Sequence, residues 1–265
     1  MKVTAKTKIC MVIGDPIEHS LSPQIHNAGY QALGIADQFV YIASKIKNEN
    51  LSDFIRGVRT MQINGASITV PHKISVMQFL DEIDATAQKI GAVNTIVNEN
   101  GKLKGYNTDW LGVINPLEEI ISLKNKKAAV LGAGGAARAA IFGLLKKGCI
   151  VTIFNRTLTN AKKLGQEFNC GFYSLNDTEK IKEVDIIFNT IPTNLNNEFI
   201  TGNQIIFDAI YSPLETKLLK EAKGKGARII HGTEMLLHQG AAQFELFTDH
   251  KAPIEEMRKT LLINI

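Results

Sequence analysis

Apolar positions along the chain switch between a strand rhythm and a helix rhythm, and they do so twice over. Residues 8–13 form a short apolar run that stops at Gly14-Asp15-Pro16, the signature of a buried strand entering a loop. Ile25, Ala28, Gly29, Ala32 and Leu33 then recur at helical spacing behind Ser22-Pro23, which reads as an N-cap followed by proline at the first helical position. Residues 39–43 predict a second strand, 51–61 a helix and 66–70 a third strand. A helix through Phe79 and Leu80 and a short one over 86–90 follow, then a strand over 92–97, a turn at 98–101 and a return through Leu103. The polar, glycine-bearing stretch 105–110 interrupts the pattern before a helix carrying Leu111, Val113, Leu117, Ile120 and Ile121.

The rhythm restarts at Ala128. An apolar run enters Gly132-Ala133-Gly134-Gly135-Ala136, and Ala137, Ala139, Ala140, Phe142, Leu144 and Leu145 leave it at helical spacing. Strands over 150–154, 185–189, 205–208 and 228–231 alternate with helices over 161–168 and 214–222, and a last helix spans 233–247. This alternation predicts an α/β protein of two α/β domains, an N-terminal one with a mainly parallel sheet and a Rossmann-like one. The boundary between them falls at the polar stretch 105–110.

In the strand–turn–helix at 127–145, Gly132 lets the chain turn sharply and Gly134 has no side chain to hold off a phosphate. Gly135 and Ala136 let the helix start close to the strand, with its N–H groups and positive dipole end toward a pyrophosphate. The spacing is GxGGxA rather than GxGxxG, and close strand–helix packing accounts for glycine there equally well. About 20 residues on, where NAD-binding proteins carry an acid for the ribose 2′-hydroxyl, stand Asn155, Arg156 and Thr157. Loss of the carboxylate and gain of a guanidinium suit a 2′-phosphate, hence NADP rather than NAD.

Composition narrows the picture a little. The 265 residues are 45% hydrophobic and 21% charged, as in an ordinary globular protein, and the net charge is only +4. Lysines are scattered without aromatic interleaving, which argues against a nucleic-acid surface, and no apolar run approaches the length of a membrane span. Cys10, Cys149 and Cys170 lack metal-ligand spacing and read as buried free thiols of a cytoplasmic protein.

Outside the glycine turn, a few polar residues stand where chemistry can use them. Ser20 and Ser22 are two apart, so their hydroxyls share a side of an extended segment and can hold a carboxylate; Ser22 as helix cap and Ser20 as loop residue is the plainer reading. Lys73 follows Thr69-Val70-Pro71-His72 just beyond a strand end, where open α/β sheets bind ligands, and can donate or accept a proton or reach out to water. Asp109 is its natural carboxylate partner, or the N-cap of a helix starting at Trp110. Asn94 and Thr95 are polar on a predicted strand; Gln239 and Gln243, one helical turn apart, can meet a polyhydroxylated ligand or solvent. Tyr211 follows a strand end, facing a cofactor or packed in the structure.

Taken together these stretches resemble the shikimate dehydrogenase family: Ser20-Leu21-Ser22-Pro23, Thr69 to Lys73, Gly91 to Thr95, Asn107-Thr108-Asp109, Gly132 to Ala136, Asn155 to Thr157, Asp208 to Pro213 and Gln239 to Ala242 occur in the family's order over nearly the whole chain. Trp110 departs from it, standing where many members have glycine. The resemblance implies NADPH-dependent, reversible reduction of 3-dehydroshikimate to shikimate in aromatic amino-acid biosynthesis. It implies a substrate domain of 1–109 completed by C-terminal helices in 237–265, an NADP-binding domain of 110–236 inserted between, and an interdomain cleft. It implies that Ser20 and Ser22 bind the substrate carboxylate, that Thr69, Asn94 and Gln239 reach ring hydroxyls, and that Lys73 and Asp109 are catalytic. It places Tyr211 and the backbone at Gly232 near the nicotinamide, needs no metal, and leaves monomer and homodimer both open. A quinate/shikimate dehydrogenase using NAD or both cofactors, and a non-catalytic dinucleotide-binding regulator, are the rival readings.

Overall fold

The computed structural model describes residues 3–191 and 197–265. The chain divides into two compact units: one comprises 1–108 with 237–264, the other 109–236 with the terminal Ile265.

The first unit contains β1 (Lys8–Gly14), α1 (Ser22–Ala32), β2 (Phe39–Lys45), α2 (Leu51–Thr60), β3 (Gly65–Ile68), a 3-10 turn at Ser75–Phe79, β4 (Glu82–Ile83), α3 (Ala85–Ile90), β5 (Thr95–Glu99) and β6 (Lys102–Tyr106). Its six strands lie in the order β2-β1-β3-β5-β6-β4. β1 pairs in parallel with β2 and β3, and β4 with β6, while β5 runs antiparallel to both β3 and β6. The sheet is mainly parallel, as predicted, with β5 alone running against its neighbours. The cause is the hairpin between β5 and β6, whose turn residues Asn100 and Gly101 both adopt positive φ. Local chemistry sets several ends. The Asp84 carboxylate accepts from the N–H groups of Thr86 and Ala87 at the start of α3, and left-handed Gly91 closes it.

The second unit contains α4 (Asp109–Glu118), β7 (Lys127–Leu131), α5 (Gly135–Lys146), β8 (Ile150–Asn155), α6 (Leu158–Phe168), β9 (Gly171–Ser174), α7 (Thr178–Lys182), β10 (Ile186–Asn189), β11 (Ile205–Asp208), α8 (Lys217–Gly224) and β12 (Arg228–Ile230). All its strand pairs are parallel, in the order β12-β11-β10-β7-β8-β9. Read from the other edge, the third, second and first strands precede the fourth, fifth and sixth, which is the doubly wound dinucleotide-binding order. Helices cover both faces, so the strands are near-continuous apolar runs. Val130, Phe188 and Phe207 face one core, and Ala129, Leu131, Ile187 and Ile206 the other, the two-residue period of a pleated strand. The chain ends with α9 (Gly232–Thr248), inside which the second seam between units falls, and α10 (Ile254–Ile263).

Periodicity missed the shortest elements, β4, β9 and α7, together with the separate helix α10. The predicted helix after Lys73 is only the 3-10 turn. Trp110, the bulky departure at the start of α4, packs edge-on against Phe142 of α5 with ring centroids 6.0 Å apart, and the Lys146 ammonium sits 4.3 Å from its ring centroid.

Candidate active site

In the first unit, chemistry gathers at one edge of the sheet. β1 and β3 are adjacent and parallel, so the loops leaving their C-terminal ends emerge side by side. One carries Ser20 and Ser22, the other Thr69 to Lys73. Backbone bonds tie the two together: Thr69 N–H donates to Ile13 O at 3.0 Å, and Asp15 N–H to Val70 O at 3.0 Å. Ser22 is the first residue of α1 and is buried, but no side chain caps that helix. The expected capping role of Ser22 is thus not used. The backbone N–H of Ser22 instead donates to the Ser20 hydroxyl at 3.4 Å, which holds the two serines together at the helix N-terminus, where the dipole favours an anion.

β5, being antiparallel to β3, brings its start to this same edge. Residues 92–94 precede the strand rather than belonging to it, and their backbone pairs with the catalytic-candidate loop: Val93 N–H donates to Lys73 O at 2.8 Å, and Ile68 N–H to Asn94 O at 2.7 Å. Lys73 is half-buried; its neighbour His72 is fully buried, with Nε2 2.7 Å from Ile46 O, a structural role. The Asn94 amide donates to the Thr108 hydroxyl at 2.9 Å and to Gln239 Oε1 at 3.4 Å. Ser20, Ser22, Thr69, Lys73, Asn94 and Gln239 therefore lie around one end of one sheet. Asp109 follows Thr108 directly in the chain, is buried, and begins α4 rather than capping it from outside. Gln239 and Gln243 are both buried, which removes the solvent reading for either.

In the second unit the strand order reverses between β7 and β10, and the chain places its glycine turn there. Gly132 has φ +118°, and a side chain on it would run into the Thr190 hydroxyl, which donates to Leu131 O at 2.8 Å. Around Gly134, by contrast, a Cβ would meet nothing within 4 Å. The N-cap residue of α5 is Gly134, which has no side chain to cap the helix. Gly132 N–H donates to Phe154 O at 2.8 Å, bringing the end of β8 beside the turn. There Asn155 is half-buried and donates to Thr157 O at 3.0 Å, while Arg156 is exposed. No carboxylate stands at 155–157, and the exposed Arg156 guanidinium can pair with an anion.

Two further strand ends complete this edge. Asp208 is buried and accepts from Asn189 Nδ2 at 3.0 Å, Ile210 N–H at 3.1 Å and the Thr216 hydroxyl at 2.6 Å. Burial raises its pKa and these bonds oppose the rise. The carboxylate thereby fixes the turn that leads to Tyr211. Tyr211 is half-buried, and burial pushes its phenol above the ordinary range, so it is neutral at physiological pH. Gly232 starts α9 against that turn: a Cβ there would lie 2.6 Å from Ile210 O and 2.7 Å from Ala209 O. Sequence reasoning passed over Asn189 and Thr190, whose polarity at the end of an apolar run was the available signal. Among the described residues no cluster of His, Cys, Asp and Glu could hold a metal, and no helix is long and apolar enough to cross a membrane.

Comparison with known proteins gives consistent matches. Residues 12–96 match the model of the shikimate dehydrogenase substrate binding domain, 116–214 that of shikimate / quinate 5-dehydrogenase, and 232–262 that of the shikimate 5'-dehydrogenase C-terminal domain. The chain is 41% identical to a shikimate dehydrogenase (NADP(+)) of Methanosphaera stadtmanae, covering 98% of each chain. It is 40% identical to one of Caldanaerobacter subterraneus, over 94% of each. Among solved structures it matches a shikimate dehydrogenase in complex with NADP+ at TM-score 0.93 and 41% identity, covering 100% of this chain and 98% of that one. The Thermus thermophilus enzyme in complex with NADP(H) and shikimate matches at TM-score 0.91 and 34% identity, over 98% of this chain and all of that one (100%).

Proposed function

Because this chain belongs to the shikimate dehydrogenase family, we propose that it catalyses the reversible, NADPH-dependent reduction of 3-dehydroshikimate to shikimate. The observation that carries this reading is the gathering of Ser20, Ser22, Thr69, Lys73, Asn94 and Gln239 around one sheet edge, in a chain that also carries a glycine turn at a topological switch point.

When bound, NADPH supplies the hydride; the protein's residues bind, orient and move the proton. Ser20 and Ser22 hold the substrate carboxylate at the N-terminus of α1. Thr69, Asn94 and Gln239 take the ring hydroxyls. Reduction leaves negative charge growing on the carbonyl oxygen; the Lys73 ammonium stabilises it, and Lys73 with Asp109 handles the proton. On the cofactor side Gly132, Ala133, Gly134, Gly135 and Ala136 admit the pyrophosphate. Asn155, Arg156 and Thr157 receive the 2′-phosphate, and Tyr211 and the Gly232 backbone flank the nicotinamide. The substrate is a small molecule, and the enzyme is cytoplasmic, as a monomer or a homodimer.

The test is cofactor reduction with shikimate and quinate, each crossed with NADP and NAD, in wild type and Lys73→Ala. The expected result is a clear preference for shikimate with NADP, and a Lys73→Ala enzyme whose kcat falls far more than its KM rises. Quinate with NAD as the best pair would replace the substrate and cofactor assignment. An unchanged kcat in Lys73→Ala would remove the lysine from catalysis.

A further inference from the structure

Behind Asn94 lies a buried polar chain that ordinary core packing does not require. Tyr41, Ser67, Thr95 and Gln243 are all at least 96% buried, and they come from β2, β3, β5 and α9. The Tyr41 hydroxyl donates to Ser67 Oγ at 2.6 Å, and Ser67 donates to Gln243 Oε1 at 2.8 Å. Gln243 Nε2 donates to the backbone oxygen of Asn94 at 3.1 Å and to Thr95 Oγ1 at 3.0 Å. Thr95 in turn donates to Asn94 Oδ1 at 2.7 Å, and Thr108 N–H donates to the same oxygen at 2.8 Å.

Two backbone groups dictate every direction in this chain. The Asn94 carbonyl can only accept, so the Gln243 atom facing it is the amide nitrogen and its oxygen faces Ser67. Ser67 must then donate to Gln243 and accept from Tyr41. The Thr108 N–H can only donate, so the Asn94 atom facing it is the amide oxygen. With that oxygen held by Thr108 and Thr95, the amide cannot flip, and its NH2 points the other way, toward Thr108 Oγ1 and Gln239 Oε1.

We propose that Thr95 and Gln243 are positioning residues for the substrate: they lock Asn94 so that it meets a ring hydroxyl as a hydrogen-bond donor, the hydroxyl taking over the N–H now on the long 3.4 Å bond to Gln239. This rests on the reading of Asn94 as a substrate contact, and it adds that the substrate hydroxyl there is recognised as an acceptor. The test is a kinetic double-mutant cycle between Asn94→Ala and Thr95→Val, which keeps the shape of Thr95 and removes its hydroxyl. Loss of one net hydrogen bond corresponds to about three- to tenfold in an equilibrium. Thr95→Val is expected to lower kcat/KM by roughly that factor through the KM for shikimate, with the KM for NADP unchanged. Thr95→Ser restores the wild-type value.

In the Asn94→Ala background, Thr95→Val is expected to cost nothing further in kcat/KM. A merely structural threonine would give additive losses in both backgrounds, and additivity overturns the proposal, as does a Thr95→Val enzyme with unchanged kcat/KM. Asn94→Ala with wild-type kinetics removes the underlying reading instead, a different result. Gln243→Leu in the same cycle gives the same pattern and replaces Thr95→Val if that variant does not fold.

Discussion

His26 makes the first unit acid-sensitive in a way that can be separated from every other group. It lies on α1 one turn after Ser22, fully buried, with its ring stacked on Tyr41 at 4.1 Å between centroids and 12° between planes. Neither ring nitrogen has a hydrogen-bond partner. Burial alone lowers its pKa from 6.5 to about 3. Below pH 6.5 the unfolded chain therefore takes up a proton that the folded chain refuses, and stability falls as pH falls from 6.5 toward 3. At about pH 4.5 the loss from this one group is some 2 pH units at about 1.36 kcal/mol each, or about 2.7 kcal/mol. His26→Leu removes it while keeping an apolar side chain of similar size against Tyr41. Urea unfolding followed by circular dichroism at about pH 7.5 and about pH 4.5 reads the effect as a difference of differences. Wild type is expected to lose about 2–3 kcal/mol more than the variant between the two conditions. The carboxylates titrate alike in both proteins and cancel. Equal losses would mean that His26 is solvated or charged in the folded protein, and the buried aromatic setting would be wrong.

Two further outcomes bear on the cofactor side. Arg156→Ala is expected to raise the KM for NADP about tenfold or more, the worth of one or two charge-assisted hydrogen bonds, and to leave the weaker reaction with NAD unchanged. A parallel rise with both cofactors in steady-state assays would show that Arg156 does not read the 2′-phosphate. Gly132→Ala forces a side chain into a positive φ and against Thr190, at a cost of roughly 1–3 kcal/mol, and is expected to lower the melting temperature and raise the KM for NADP. An unchanged melting temperature would mean that the turn is softer than its geometry implies.

What the chain reveals before folding depends on how far apart the partners stand. The glycine turn was legible because its parts are contiguous: strand, Gly132, Gly134 and the start of α5 come within a dozen residues, and Asn155 and Arg156 close one strand later. The antiparallel β5 was half legible, since its turn residues show while its pairing with β3 does not. Ser22 was misread as a cap because Ser-Pro before an apolar helix usually is one, yet here the helix start carries no side-chain cap. The buried glutamines were the least legible of all. Gln239 and Gln243 sit off the apolar stripe of α9, where a helix read alone turns polar residues to solvent, and the partners of Gln243 lie 148, 149 and 176 residues away in sequence. Asn94 shows the same limit from the other side. A polar residue at the mouth of an apolar strand signals that something must satisfy it; Thr95 and Thr108 hold its amide oxygen, but only the return of α9 across the first unit brings Gln243 to direct the Thr95 hydroxyl onto that oxygen. A buried polar group needs its full set of partners, so a network drawn from four elements far apart in sequence holds only once all four are in place. On that argument the orientation of the Asn94 amide is set by α9 as much as by the segment leading into β5 that bears it.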